Sequence, residues 1–155
     1  MCRGLSFWGV EAREALRRVA HDLPFFRQTG GGVTVSGGEP LLQPEFVAEF
    51  FALCREAGIS TAVESNLQVE WKCVEQLLPL VDEWMCDFKI FDGVLHREMT
   101  GVGNERVREN LDRLIGSGAK VVVRTPVIPG VNDNETEIGN ICRMLLLFED
   151  RLLGY

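Results

Sequence analysis

The sequence predicts an α/β fold built from parallel strands, and three observations carry that prediction. Short β-branched runs alternate with amphipathic helical stretches in the order α, then βα four times, at a repeat of roughly 25–35 residues. The run Lys120 to Arg124 is valine throughout its middle, as a parallel strand covered on both faces should be. Each of the four strands carries an ionisable residue at or just past its C-terminal end, the edge at which α/β folds bind ligands. Strand-helix-strand units of this kind join by right-handed helical crossovers. Periodicity leaves open whether about four strands form a doubly wound layer or an arc of a barrel.

In chain order, residues 1–9 (MCRGLSFWG) carry the apolar Leu5, Phe7 and Trp8. From Val10 to about Phe26 the apolar residues Val10, Leu16, Val19, Leu23 and Phe26 recur at helical spacing, which predicts a surface helix whose regular part ends at Pro24. His21 falls in its polar last turn. Val33 to Val35 is a short strand with Gly30-Gly31-Gly32 before it and Ser36-Gly37-Gly38-Glu39-Pro40 after it. Pro44 opens a second helix with Phe46, Val47, Phe50, Phe51 and Cys54 on its buried face, and Gly58 closes it.

Ile59 to Val63 is the next strand, followed at once by Glu64-Ser65-Asn66, and residues 70–80 form a shorter helix. Glu83 to Phe88 gives the third strand, running into Lys89. The stretch IFDGVLHREMTGVG reads as a long loop. Asn104 then opens a helix with Val107, Leu111, Leu114 and Ile115 on one face. The fourth strand, Lys120 to Arg124, exits through TPVIPG, and Asn134 to Glu137 forms an Asn-x-x-Glu capping box for the last helix. The final RLLGY is too short to place.

With 155 residues, 46% of them hydrophobic and 25% charged, the chain is the size of one soluble globular domain. A net charge of −7 argues against nucleic acid or an anionic membrane as the main partner. No apolar run is long enough to span a bilayer and no secretory signal is visible, so a cytoplasmic location is expected. The five cysteines (Cys2, Cys54, Cys73, Cys86, Cys142) are widely spaced and read as reduced thiols. Cys54 and Cys142 fall in amphipathic patterns and read as core residues. No pair has metal-motif spacing.

The strand ends carry Glu39, Glu64, Asp87 with Lys89, and Arg124. Gly37 and Gly38 let the backbone turn and let a ligand approach bare N–H groups. Read alone, this stretch is a tight strand-to-helix turn. Asp87 and Lys89 share the i, i+2 phase of a strand and so point to one side. Arg124 ends an apolar run, where a charge must be paired or face a polar cavity. An internal salt bridge of Arg124 with Asp87 or Glu64 is the structural reading of these charges. Three chemistries also fit: a Schiff-base lysine, carboxylates holding Mg²⁺ or a monovalent cation, or a grip on an amino acid-like ligand. Nucleophile elbow, Walker lysine and zinc motif are all missing from the sequence.

Taken together and in order, SGGEP, Glu-Ser-Asn, Asp-Phe-Lys, HREMTGVGNERVRENLDRL and Val-Arg-x-Pro-Val-Ile-Pro-Gly resemble the radical S-adenosylmethionine activases of glycyl radical enzymes. The pyruvate formate-lyase activating enzyme is the best-known member of that family. The similarity runs from about residue 5 to residue 149. The resemblance implies a partial (β/α)6 barrel over residues 10–155, with residues 1–9 the end of an inserted ferredoxin-like segment. It implies that Gly37, Gly38 and Glu39 hold the amino group of S-adenosylmethionine, and that Lys89 and Arg124 contact the same cofactor. Glu64, Ser65, Asp87 and the Phe88 carbonyl region match a monovalent-cation site beside the cofactor carboxylate. The family is anaerobic. Its 4Fe–4S cluster accepts an electron from a donor such as flavodoxin or ferredoxin and cleaves S-adenosylmethionine to a 5′-deoxyadenosyl radical. That radical abstracts hydrogen from a glycine of the partner enzyme.

The sequence departs from the family pattern in four respects. The cluster motif CxxxCxxC and the first and last barrel strands are expected to be missing, and Cys2 reads as the last cysteine of an accessory cluster segment. Glu64 stands where aspartate is frequent, and Leu67 where glycine is frequent. Without three thiolates the chain alone is expected not to make the radical. Two unpaired strand edges are expected, and with them self-association or marginal stability. Two other functions fit the same rim. One is a catalytically silent S-adenosylmethionine-binding remnant or subunit acting through a partner that supplies the cluster. The other is a lysine- or metal-dependent barrel lyase, which borohydride trapping at Lys89 would reveal.

Overall fold

The computed structural model describes residues 6–7 and 9–154. Cys2 and most of the segment 1–9 therefore lie outside the described residues. Contacts divide the chain into two compact units. One runs up to Glu64 and includes Glu70–Glu83, and the other comprises Ser65–Val69 and the chain from Trp84 onward.

In the first unit, β1 (Ser6–Phe7) and β2 (Val10–Glu11) form a small antiparallel ladder. The helix expected over 10–26 is two helices, α1 (Ala12–Val19) and α2 (Leu23–Thr29), joined by a 3₁₀ turn at Ala20–Asp22. Pro24 sits in the first turn of α2 rather than ending a helix. Proline has no N–H to lose there, so the first turn tolerates what the interior does not. β3 (Gly32–Val35) then pairs in parallel with β4 (Ser60–Ser65), Val35 opposite Val63. The strands approach closely at Gly32, where a Cβ would come within 2.0 Å of the Ser60 carbonyl oxygen. Between them a 3₁₀ turn (Pro40–Leu42) leads into α3 (Pro44–Glu56).

Phe46, Val47, Phe50, Phe51 and Cys54 on α3 are all buried, as its periodicity predicts. The Phe46 and Phe50 rings stack at 6.4 Å, a geometry worth something beyond area alone. Asp82 is tied to the start of β4: its carboxylate accepts from the Thr61 N–H at 2.9 Å. The short α4 (Trp71–Glu75) completes this unit.

In the second unit, β5 (Glu83–Asp87) pairs in parallel with β6 (Val121–Arg124). A further strand follows: β7 (Leu152–Gly154) pairs in parallel with β6, Val121 opposite Leu152. The expectation of an unpaired edge on the strand ending at Arg124 is thus corrected. Three residues show no measurable period, which is why sequence left them unplaced. The loop expected between β5 and the next helix holds another helix, α5 (Gly93–Thr100). Asp92 caps it, its carboxylate accepting from Val94 and Leu95 N–H at 2.8 Å each. The core is formed by Trp84, Cys86 and Phe88, with Leu111, Leu114 and Ile115 of α6 (Glu105–Gly116) and Ile141 and Leu145 of α7 (Glu135–Leu146).

The fold is therefore α/β, with parallel pairing of β3 with β4, of β5 with β6 and of β6 with β7. Among the described residues no helix is long and apolar enough to cross a membrane.

Candidate functional site

The first unit presents Gly37, Gly38 and Glu39 where β3 ends, and Glu64 near the same end of its partner β4. Gly37 has φ of +121°, a conformation only glycine adopts without strain. Around both Gly37 and Gly38 a Cβ would meet nothing within 4 Å. The glycines are thus not demanded by packing at that turn. Glu39 turns back to accept from the Leu41 N–H at 3.1 Å, which caps the following 3₁₀ turn.

The second unit brings together Asp87, Lys89 and Arg124. Asp87 Oδ1 accepts from Arg124 Nη2 at 2.9 Å, and Asp87 Oδ2 lies 3.4 Å from Lys89 Nζ. The salt bridge between Arg124 and Asp87 read from sequence is thus present. Lys89 and Arg124 both converge on the Asp87 carboxylate. Lys89 keeps about a third of its side-chain surface in solvent.

Ser65 and Phe88 are more engaged than sequence suggests. Ser65 Oγ accepts from the Leu67 N–H at 2.9 Å. The Phe88 carbonyl accepts from Thr125 Oγ1 at 2.7 Å, while its side chain is buried. Leu67 is the one described non-glycine residue with positive φ, at +56°, which is the conformation that favours glycine. Its side chain is fully buried, and Asn110 Nδ2 donates to the Leu67 carbonyl at 2.9 Å and to the Val69 carbonyl at 2.8 Å.

Asp87 and Lys89 line a cavity of about 140 Å³ with Asn66, Gln68, His96 and Thr100. That is too small for a nucleoside and sufficient for a carboxylate or ammonium group. Gln68 Oε1 is buried there without a hydrogen-bond partner. His96 Nδ1 lies 2.7 Å from the Val102 carbonyl, which can only accept, so Nδ1 is the donor in this contact.

Sequence reasoning missed the residues that fix the chain after β5. Glu137 does not complete the expected capping box. The Asn134 side chain does accept from the Glu137 N–H at 2.9 Å, but the Glu137 carboxylate accepts from Phe91 N–H at 2.7 Å and Asp92 N–H at 3.1 Å. Asn104, read only as a helix start, donates to the Ile90 and Phe91 carbonyls. Arg108 lies 4.0 Å over the Phe91 ring and donates to its carbonyl. Polar residues embedded in otherwise periodic apolar stretches were the available signal.

Among the described residues, no group of three or more His, Cys, Asp or Glu side chains could hold a metal ion. The described thiols stand apart, Cys54 and Cys86 being buried. Burial pushes the Cys54 thiol up to about 12, away from thiolate chemistry. This donor set does not fit an iron–sulfur cluster.

The model of the Radical SAM superfamily matches residues 8–139. The (2S)-3-sulfopropanediol dehydratase activating enzyme of Klebsiella oxytoca is 40% identical over 144 residues, 92% of this chain and 45% of that protein. The isethionate sulfite-lyase activating enzyme of Nitratidesulfovibrio vulgaris is 42% identical over 133 residues, covering 84% of this chain and 43% of that protein. The chain thus spans less than half the length of either relative. Among solved structures, a domain of pyruvate-formate lyase-activating enzyme from Bacteroides vulgatus superposes with a TM-score of 0.70 at 34% identity, covering 75% of this chain and 72% of that one.

Proposed function

The chain belongs to the Radical SAM superfamily, and from that membership we propose that it is the S-adenosylmethionine-binding part of an activating enzyme for a glycyl radical enzyme. Its curated relatives are themselves named as activating enzymes. The observation that carries the reading is the open turn at Gly37 and Gly38 beside the Glu39 carboxylate. Bare backbone with no packing requirement for glycine is what a bound group needs for close approach.

In this reading Gly37, Gly38 and Glu39 receive the amino group of S-adenosylmethionine, an ammonium suited to a carboxylate and carbonyl acceptors. Lys89 and Arg124 receive its carboxylate, as two cations that meet beside Asp87. Glu64, Ser65, Asp87 and Phe88 are the proposed surroundings of a monovalent cation. When bound and reductively cleaved, S-adenosylmethionine supplies the 5′-deoxyadenosyl group that takes hydrogen from a glycine of the partner protein.

The described residues do not fit the 4Fe–4S cluster that such cleavage requires. We therefore assign the chain alone to binding and not to cleavage, with the cluster, the electron donor and the contacts to the partner enzyme belonging to a longer protein. Residues 10–155 correspond to the barrel portion and 1–9 to the end of an inserted ferredoxin-like segment, in a cytoplasmic setting.

The test is anaerobic reconstitution of the longer gene product followed by detection of 5′-deoxyadenosine. Iron incorporation with 5′-deoxyadenosine release is expected, and a protein with neither would sink the activase reading.

A further inference from the structure

Five consecutive residues after β5, 88–92, have backbone groups held by side chains from later in the chain. The carbonyl of Lys89, the residue whose ammonium faces Asp87, is held by Asn132. Asn132 Nδ2 donates to the Lys89 carbonyl at 2.7 Å and to the Pro126 carbonyl at 2.9 Å. Its Oδ1 accepts from the Ile128 N–H at 2.7 Å. The side chain is 1% exposed, and both amide protons and one oxygen lone pair are used. One buried amide therefore fastens the segment bearing Lys89 to the turn that follows β6.

We propose that Asn132 is a positioning residue for Lys89, fixing where the ammonium points by fixing the carbonyl of the same residue. This rests on the reading that Lys89 engages the cofactor. The reason is geometric. Lys89 lies two residues beyond the end of β5 and one beyond Phe88, whose N–H donates to the Arg124 carbonyl at 2.9 Å. A lysine side chain has four rotatable bonds, and a free backbone beneath them would spread the ammonium over a wide volume. With the carbonyl clamped, the ammonium is held beside Asp87 at 3.4 Å. Neighbouring clamps act on other residues: Thr125 Oγ1 donates to the Phe88 carbonyl at 2.7 Å.

The chain has three lysines, Lys72, Lys89 and Lys120, so lysine labelled with ¹³C at Cε gives three signals, and Lys89→Arg identifies the one required. In the 155-residue chain the two ε-protons of Lys89 should be resolved from one another. Asn132→Ala should collapse them to one averaged shift. Asn132→Ser, which keeps one donor, should give a reduced splitting and serves if the alanine variant does not fold. Thr125→Val, which removes the neighbouring clamp, should leave the splitting in place. An unchanged splitting in both Asn132 variants, or an equal collapse in Thr125→Val, overturns the proposal.

S-adenosylmethionine titration separates this from the cofactor reading. Lys89→Met and Asn132→Ala should each weaken binding about tenfold, and Asn132→Ala should add nothing in the Lys89→Met background. If Lys89→Met leaves affinity unchanged while Asn132→Ala collapses the splitting, the cofactor role of Lys89 fails and the positioning role stands.

Discussion

Asp87 and Arg124 are registered partners across the parallel ladder of β5 and β6, and their side chains meet at 2.9 Å. The pair is only partly shielded, with 22% and 40% of the two side chains exposed, so its contribution is modest. Asp87→Asn should cost about 0.5–1 kcal/mol in urea unfolding, and the loss should shrink as salt is raised. If Asp87 also helps hold a monovalent cation, S-adenosylmethionine affinity will depend on potassium or sodium in the parent chain and not in the variant. Identical cation dependence in both would remove Asp87 from that role.

Leu67 sets two opposing terms against each other. Its left-handed backbone, φ +56°, costs about 1–2 kcal/mol for a residue with a Cβ. Its fully buried side chain contributes about 2–5 kcal/mol relative to alanine. Burial wins, so Leu67→Gly and Leu67→Ala should both destabilise. Their order should be inverted from the usual one, with glycine the more stable of the two by about 1 kcal/mol, because only glycine escapes the strain. Urea midpoints of the two variants decide it, and alanine above glycine would contradict the backbone assignment.

Much of this architecture is legible in the sequence because it obeys simple periods. The α3 face of Phe46, Val47, Phe50, Phe51 and Cys54 and the apolar middle of β6 follow from spacing alone. What escaped is of two kinds. β7 and α5 are too short or too irregular to show a period, and α5 is announced only by its Asp92 cap. The clamps at Asn104, Asn132 and Glu137 connect residues far apart in the chain, and nothing local marks their partners. Glu137 shows the limit well. Asn-x-x-Glu spacing predicts a reciprocal cap, yet the carboxylate goes to Phe91 and Asp92 N–H, 45 and more residues away. The charges at the strand ends were visible from sequence, while their assembly into an Asp87-centred cluster needed the β5–β6 register.

That redirected carboxylate should matter for stability. Glu137 is 5% exposed and its carboxylate answers the partly buried backbone N–H groups of Phe91 and Asp92. Glu137→Ala should cost about 2–4 kcal/mol, and Glu137→Gln, which keeps one acceptor, roughly half of that. Amide exchange at Phe91 and Asp92 should accelerate in both. Unchanged exchange at these two amides would mean that other groups hold them.

Cys54 gives the chain an alkaline limit. Burial raises its thiol from 9.0 to about 12 in the folded state. Between those values the unfolded chain has released the proton and the folded chain retains it. Stability contributed by the neutral buried thiol is therefore complete below pH 9 and lost as pH rises toward 12. The fall in unfolding free energy between pH 8.5 and 11 should be smaller in Cys54→Ala than in the parent, although the alanine variant starts lower because of the cavity it leaves. Equal falls would exclude Cys54 as the cause.

Gly32 and Gly38 separate folding from binding. At Gly32 an added Cβ would lie 2.0 Å from the Ser60 carbonyl oxygen, and the obstacle is backbone of the paired strand. Gly32→Ala must therefore push β3 and β4 apart and should cost more than about 3 kcal/mol or prevent folding. At Gly38 an added Cβ meets nothing within 4 Å and the backbone is not in the left-handed region. Gly38→Ala should then leave the unfolding free energy within about 0.5 kcal/mol of the parent. If the turn exists to admit the amino group of S-adenosylmethionine, the same methyl will obstruct the ligand and weaken its binding about tenfold or more, a penalty of at least about 1.4 kcal/mol. Calorimetric titration of the folded variant makes the comparison. Parent-like affinity in Gly38→Ala would show that the ligand does not use this turn, and Glu39 would lose its assigned partner with it.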